Sequence, residues 1–174
     1  MGIKYPERHS IRLRGFNYSQ PGWYFVTICT DGRQHLFGNI VNGEMRLSSY
    51  GQIANFAWVK LRARFPHIRL DQFVVMPNHV HGVINIVKSR GRENRAPTLG
   101  QIIAYYKYQT TKSFNNTHVG AGSSRPRTQR SNSCTKLWQR NYHDHIIRDS
   151  TDLHRIQEYI RDNPTNWETD TLNC

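Results

Sequence analysis

The sequence predicts an α+β protein, an antiparallel β-sheet with helices packed on it. Two observations predict it. Short aromatic or β-branched runs outnumber the helical segments. Turn residues join two pairs of those runs as hairpins, Asn42-Gly43 in one and Met76-Pro77-Asn78 in the other. With 174 residues and 37% hydrophobic content, the chain fits a single domain spanning 1–174, since domains commonly run about 100–200 residues.

Residues 1–20 read as a basic, irregular arm. Residues 22–30, GWYFVTICT, are aromatic and β-branched and predict a strand. In 35–48, strand-like flanks surround Asn42-Gly43, a dipeptide suited to the positive φ that a tight hairpin turn demands. Residues 51–65 predict a helix on the spacing of Ile53, Phe56, Ala57, Val59, Leu61 and Phe65, ended by Pro66. The runs 68–76 and 79–87 predict an antiparallel pair. After a charged loop at 88–97, residues 98–114 open with Thr98-x-x-Gln101, a capping box, and place Leu99, Ile102, Ile103, Tyr106 and Phe114 on one helical face. Residues 115–135, rich in Asn, Ser, Gly and Arg, predict a mobile loop. A short strand within 137–148 and a last helix at 150–163, stopped by Pro164, complete the chain.

Charge narrows the partners. Lys and Arg number 24 against 12 Asp and Glu, a formal net charge of +12, which points to a polyanion. Arg62, Arg64 and Arg69 flank the first helix. Lys88, Arg90, Arg92 and Arg95 follow the second hairpin, and Arg125, Arg127, Arg130 and Lys136 stud the long loop. The last two clusters are expected to track a nucleic-acid backbone, with Arg140 and Tyr142 beside them as further contacts, Tyr142 by stacking on unpaired bases. Trp138 is expected to pack in the core. No apolar run approaches a membrane span of about 18 residues, and the polar N-terminal stretch lacks the apolar run of a secretory signal. Cys29, Cys134 and Cys174 make neither a disulfide framework nor a CxxC metal pattern, so a reducing, cytoplasmic setting is expected.

The chemistry-bearing residues begin with His79 and His81 in an otherwise apolar strand. Alternation puts Val80, Gly82, Ile84 and Ile86 on one face and both imidazoles on the other. The pair fits either two adjacent metal ligands or two hydrogen-bonded histidines beside the core, and a metal would need at least one more ligand. His143 and His145 repeat the spacing in a less apolar stretch. Among nine tyrosines, Tyr159 lies one helical turn before Asn163, and Tyr105 one turn before Gln109. Either pair places a phenol beside a carboxamide oxygen able to ligate a hard cation.

Three strings in order, MPNHVHG, LWQRNYHDHIIRD and DLHRIQEYIRDNP, resemble the REP-associated tyrosine transposases, one-tyrosine members of the His-hydrophobic-His (HUH) superfamily. The resemblance spans roughly residues 20–170 and implies a ferredoxin-like HUH fold. It implies cleavage of single-stranded DNA near a hairpin, through a tyrosine joined to the 5′ phosphate, in a monomer or a homodimer, with no small-molecule substrate. It assigns Tyr159 as nucleophile and His79, His81 and Asn163 as ligands of Mg²⁺ or Mn²⁺. Two neutral imidazoles and an amide would leave such an ion its full charge. The setting implied is the cytoplasm, on the nucleoid. His143 stands where similar sequences often carry another aromatic residue, and the 115–135 loop is longer than expected. Two rival readings remain. One is a hairpin-binding regulator without catalysis, which has no need of all four site residues. The other is a zinc hydrolase, for which no HExxH motif is present.

Overall fold

The computed structural model describes residues 16–88, 97–119 and 136–173. The elements run β1 (Gly22–Cys29), β2 (Gly38–Val41), β3 (Glu44–Leu47), α1 (Ser49–Arg64), β4 (Ile68–Val75), β5 (His79–Ile86), α2 (Leu99–Val119), β6 (His143–Ile147) and α3 (Ser150–Asp162). Four strands form one sheet in the order β4-β5-β1-β6, with every neighbouring pair antiparallel. β2 and β3 form a separate hairpin. With that hairpin set aside, the chain reads βαββαβ followed by α3, the ferredoxin-like connectivity.

Local chemistry explains the boundaries. Asn42 and Gly43 take φ of 54° and 75°, as the two-residue turn demands. Ser48 caps α1 by accepting from the Gly51 amide at 3.1 Å, so the helix starts two residues before the apolar spacing predicts. The capping box forms in both directions, Gln101 N to Thr98 Oγ1 at 3.2 Å and Thr98 N to Gln101 Oε1 at 2.9 Å. α2 continues to Val119, five residues into the stretch expected as loop. Phe114 is buried there, and the Thr117 hydroxyl is satisfied by the Phe114 carbonyl at 2.7 Å, so the polar run stays helical. The rest of the expected loop, 120–135, and the arm's first 15 residues lie outside the described residues.

The sheet separates two cores. Val80, Ile84 and Ile86 of β5 join Val26 and Ile28 of β1 against Trp58 and Leu61 of α1 and Ile102 and Tyr106 of α2. The alternate residue Val83 joins Ile147 and the α3 residues Ile156 and Ile160, with Phe25 and Val74 packed alongside. α1 and α2 therefore cover one face and α3 the other. Gly82 lets the Trp58 indole lie directly on β5, since a Cβ there would overlap the ring. Gly82→Ala is expected to destabilise the fold by about 1–3 kcal/mol through overpacking. Thermal denaturation should show Tm lower by roughly 2–10 °C. An unchanged Tm would mean that the indole moves without cost. Among the described residues, no helix is long and apolar enough to cross a membrane.

Candidate active site

β5 turns His79 and His81 away from the α1–α2 core, toward α3, and both are essentially without solvent exposure, at 0% and 1%. Each imidazole has a partner on its Nδ1. His79 Nδ1 lies 2.8 Å from Asn78 Oδ1. The Asn78 amide donates its Nδ2 to the Leu172 carbonyl at 2.7 Å, which fixes its orientation. His79 Nδ1 is therefore the donor, and its Nε2 carries a lone pair. His81 Nδ1 meets Thr27 Oγ1 at 2.8 Å, across the β1–β5 register. The two Nε2 atoms are 3.0 Å apart. Nitrogen ligands at right angles about an ion at about 2.1 Å have that same separation of about 3.0 Å.

Burial keeps both rings neutral. His79 is lowered from 6.5 to about 4 by desolvation, with the Asp170 charge opposing and Arg33 reinforcing the shift. His81 is lowered well below 6.5 by burial, then by His79 and His143. The unfolded chain thus binds more protons than the folded one between the two His79 values. The stability that neutral His79 contributes is complete above pH 6.5 and is lost as pH falls toward about 4. Metal-free protein should show a steady fall of Tm across this window, shallower in His79→Gln. Equal pH slopes for the two would show that His79 is not responsible.

α3 supplies the next groups. Asp149 caps it, accepting from the Asp152 amide at 2.8 Å. Ile156 and Ile160 anchor it to the sheet. Tyr159 then emerges at the rim, 45% exposed, yet with its hydroxyl 3.2 Å from His81 Nε2. Its ring meets Phe25 and His81 edge-on. Desolvation and the nearby Asp170 charge raise the phenol, while a hydrogen bond with Asn163 pulls it down. Asn163 is 2% exposed, and its Oδ1 is buried without a hydrogen-bond partner.

Asp170, which sequence reasoning missed, completes the cluster. It follows the short 3₁₀ turn Trp167–Thr169, whose Trp167 ring packs against His79. Asp170 Oδ1 accepts from the Leu172 amide at 2.8 Å, while Oδ2 is buried and unpartnered. Ligand atoms of His79, His81 and Asp170 all lie within 4.8 Å of one another, a grouping able to hold a metal ion. Two neutral imidazoles that bring their Nε2 atoms together, an orphaned carboxylate oxygen and an orphaned amide oxygen fit a divalent cation. With Asp170 in the set, its carboxylate would offset half of a divalent charge, where the imidazole–amide set would leave the full charge. No local spacing announces it. The one signal in the sequence is an acid a few residues after the helix-stopping Pro164.

The other expected residues divide. Tyr105 packs edge-on against Phe65 and lines, with Gln109, a groove between α1 and α2 on the opposite face of the sheet. His143 and His145 share the face of the donor cluster through their β1 partners Thr27 and Phe25. They do not form a second cluster with each other: His145 Nε2 instead pairs with Asp152 Oδ2 at 2.7 Å, and His143 is exposed. Together with Arg155, His145 holds Asp152 below the usual carboxylate range. Lys88 and Arg140 are exposed, and Tyr142 is half-buried beside the Lys107 ammonium. Lys136 is paired with Asp31 at 2.6 Å. Trp138 is buried, its indole N–H donating to Thr110 Oγ1 at 2.7 Å. Arg90, Arg92, Arg95, Arg125, Arg127 and Arg130 lie outside the described residues.

Fold and cluster together define a ferredoxin-like α+β protein with a His-hydrophobic-His strand facing a tyrosine helix, a fold shared with tyrosine transposases. A solved REP-associated tyrosine transposase bound to a REP hairpin superposes with a TM-score of 0.59, covering 95% of this chain and 74% of that one at 17% identity. The chain belongs to one family with an uncharacterized protein of Haemophilus influenzae, 35% identical over 180 residues that span 95% of this chain and 92% of the relative. No protein-family model matches the chain.

Proposed function

We propose that this protein is a metal-dependent single-stranded DNA endonuclease and strand transferase, acting near DNA hairpins through a covalent 5′-phosphotyrosine. The observation that carries this reading is the Tyr159 hydroxyl, 3.2 Å from His81 Nε2 at the edge of the buried donor cluster. A phenol held beside two buried, partnered imidazoles and an orphaned carboxylate has no role in a plain binding module. The solved transposase of the same fold, bound to a hairpin, and the net charge of +12 support DNA as the substrate.

In this reading His79, His81 and Asp170, with the Asn163 amide beside them, hold Mg²⁺ or Mn²⁺. The bound ion would withdraw charge from a phosphate oxygen and stabilise the charge that builds there. The chain's own residues do the rest. Tyr159 gives up its proton, and its oxygen bonds to phosphorus. The bond to the 3′ oxygen breaks, and that oxygen takes up a proton, which leaves a free 3′ hydroxyl. The phosphodiester energy is kept in the tyrosyl link, so the strand can be rejoined. Phe25 and His81 restrict the phenol ring by contact on two sides, which orients the nucleophile before DNA arrives.

The test is to incubate the full chain and Mn²⁺ with single-stranded hairpins drawn from the DNA flanking its gene. A covalent adduct on denaturing gels, mapped by mass spectrometry to the peptide bearing Tyr159, is the expected result. Tight hairpin binding with no adduct under any divalent ion would instead assign the protein as a DNA-binding regulator.

A further inference from the structure

The two faces of the sheet differ sharply in charge. α1 and α2 contain no Asp or Glu, and they carry Lys60, Arg62, Arg64, Lys107 and Lys112. The face bearing the donor cluster is built from α3 and its flanking segments, where Asp149, Asp152, Glu158, Asp162, Glu168 and Asp170 stand against Arg148, Arg155 and Arg161. Carboxylates thus outnumber cations around α3, whereas the cations of α1 and α2 meet no carboxylate on their own helices, so the more positive potential lies behind the sheet.

That rear face is also shaped. A groove of about 470 Å³ runs between α1 and α2, lined by Phe56, Lys60, Arg64, Tyr105 and Gln109. A second hollow of about 560 Å³ continues it past Arg64 and Tyr105 to His67 and Gln101. No acidic side chain lines either one. Phe56 is 64% and Tyr108 60% exposed, large for aromatic rings on a helical layer. Lys60 sits over the Phe56 ring at 4.9 Å, and Arg64 over Tyr105 at 5.7 Å. Among the described residues, no carboxylate pairs with Lys60 or Arg64.

The geometry points to this α1–α2 groove as a second DNA site, one that takes an unpaired single strand, with bases on Phe56 and Tyr105 and phosphates at Lys60 and Arg64. Rings interleaved with cations are what sequence-tolerant single-strand binding requires, because every base has a π-face and every linkage a charge. A second copy of the chain does not suit the groove, since its matching face would bring like charges together. A duplex suits it less, since paired bases cannot reach the rings. The inference rests on the proposed DNA chemistry only for the identity of its polyanion, not for any step at Tyr159. It also gives Tyr105 and Gln109 a use that the cluster does not.

Fluorescence anisotropy with labelled (dT)₂₀ and the full chain in EDTA tests it. Lys60→Ala/Arg64→Ala should weaken binding at least tenfold and flatten the slope of log affinity against log salt by about 1.4, the value for two single-strand phosphate contacts. Phe56→Ala should weaken binding at least about fivefold, and equal Tm values would confirm that the variants fold. Wild-type affinity and salt slope in the Lys60/Arg64 variant overturn the inference. So does a wild-type chain that ignores (dT)₂₀ while binding phosphatidylserine vesicles, or one that binds neither. A 5-iodouracil cross-link should map to α1 or α2, and one confined to α3 overturns the inference too. DNA held in the groove, together with no covalent adduct on hairpins under any divalent ion, would instead sink the transesterase reading and leave this one standing.

Discussion

Tyr159→Phe is expected to abolish covalent capture of DNA, by more than about 10³-fold, while the fold and hairpin affinity stay close to wild type. The substitution removes one oxygen. The ring keeps its contacts with Phe25 and His81, and Ile156 and Ile160 still hold α3 on the sheet. The hydroxyl's hydrogen bond to His81 is made by a half-exposed group, so its net worth is at most about 1 kcal/mol. A large loss of adduct with a small loss of Tm therefore separates a nucleophile from a structural tyrosine. Tyr105→Phe is the matched control, since Tyr105 lies behind the sheet against Phe65. Adduct retained by Tyr159→Phe and lost in Tyr105→Phe would reverse the assignment and move the chemistry to the other face.

The contrast between these two tyrosines shows what local pattern can and cannot decide. Each stands one turn before a carboxamide on a helix, and nothing in the spacing distinguishes them. Burial does. α2 sits with α1 on the Val80 face of β5, and α3 sits on the Val83 face with the imidazoles. That placement depends on the order β4-β5-β1-β6, which pairs strands far apart in sequence and is not written in any one of them. The elements themselves were legible where local chemistry acts alone: the alternation of β5, the Asn42-Gly43 turn, the Thr98–Gln101 box, and the stripe that leads from Ile156 to Ile160. The two His-x-His pairs looked alike for the same reason that the tyrosines did. His79 and His81 are buried and turn their Nε2 atoms together, while β6 leaves His143 exposed and sends His145 to Asp152. Asp170 was illegible because its place is set by a loop anchored at a distance. The Asn78 amide holds the Leu172 carbonyl, and Arg33 holds that of Thr171 at 3.2 Å.

His81→Ala is expected to weaken Mn²⁺ binding by more than about 100-fold, the upper end of what losing an outer-shell partner alone costs. Isothermal titration would measure this, and thermal shift would check it. An ion at 100 times its Kd stabilises the folded state by about 2.7 kcal/mol, and the variant should lose that increment. Asp170→Asn resolves the composition of the set. It preserves shape and removes the charge of a carboxylate whose Oδ2 is buried without a partner. If Asp170 is a ligand, its loss should weaken Mn²⁺ by about 10–100-fold or more. The phenol would also drop, because Asp170 is one of the two influences that raise it. A pH profile of adduct formation shifted to lower pH, alongside weaker ion affinity, would be the joint signature. Unchanged affinity in Asp170→Asn with a marked loss in Asn163→Ala would return the ion to the imidazole–amide set and its full charge. Unchanged affinity in His81→Ala would mean that the 3.0 Å approach of the two Nε2 atoms is a hydrogen bond between histidines, and the metal reading would fall with it.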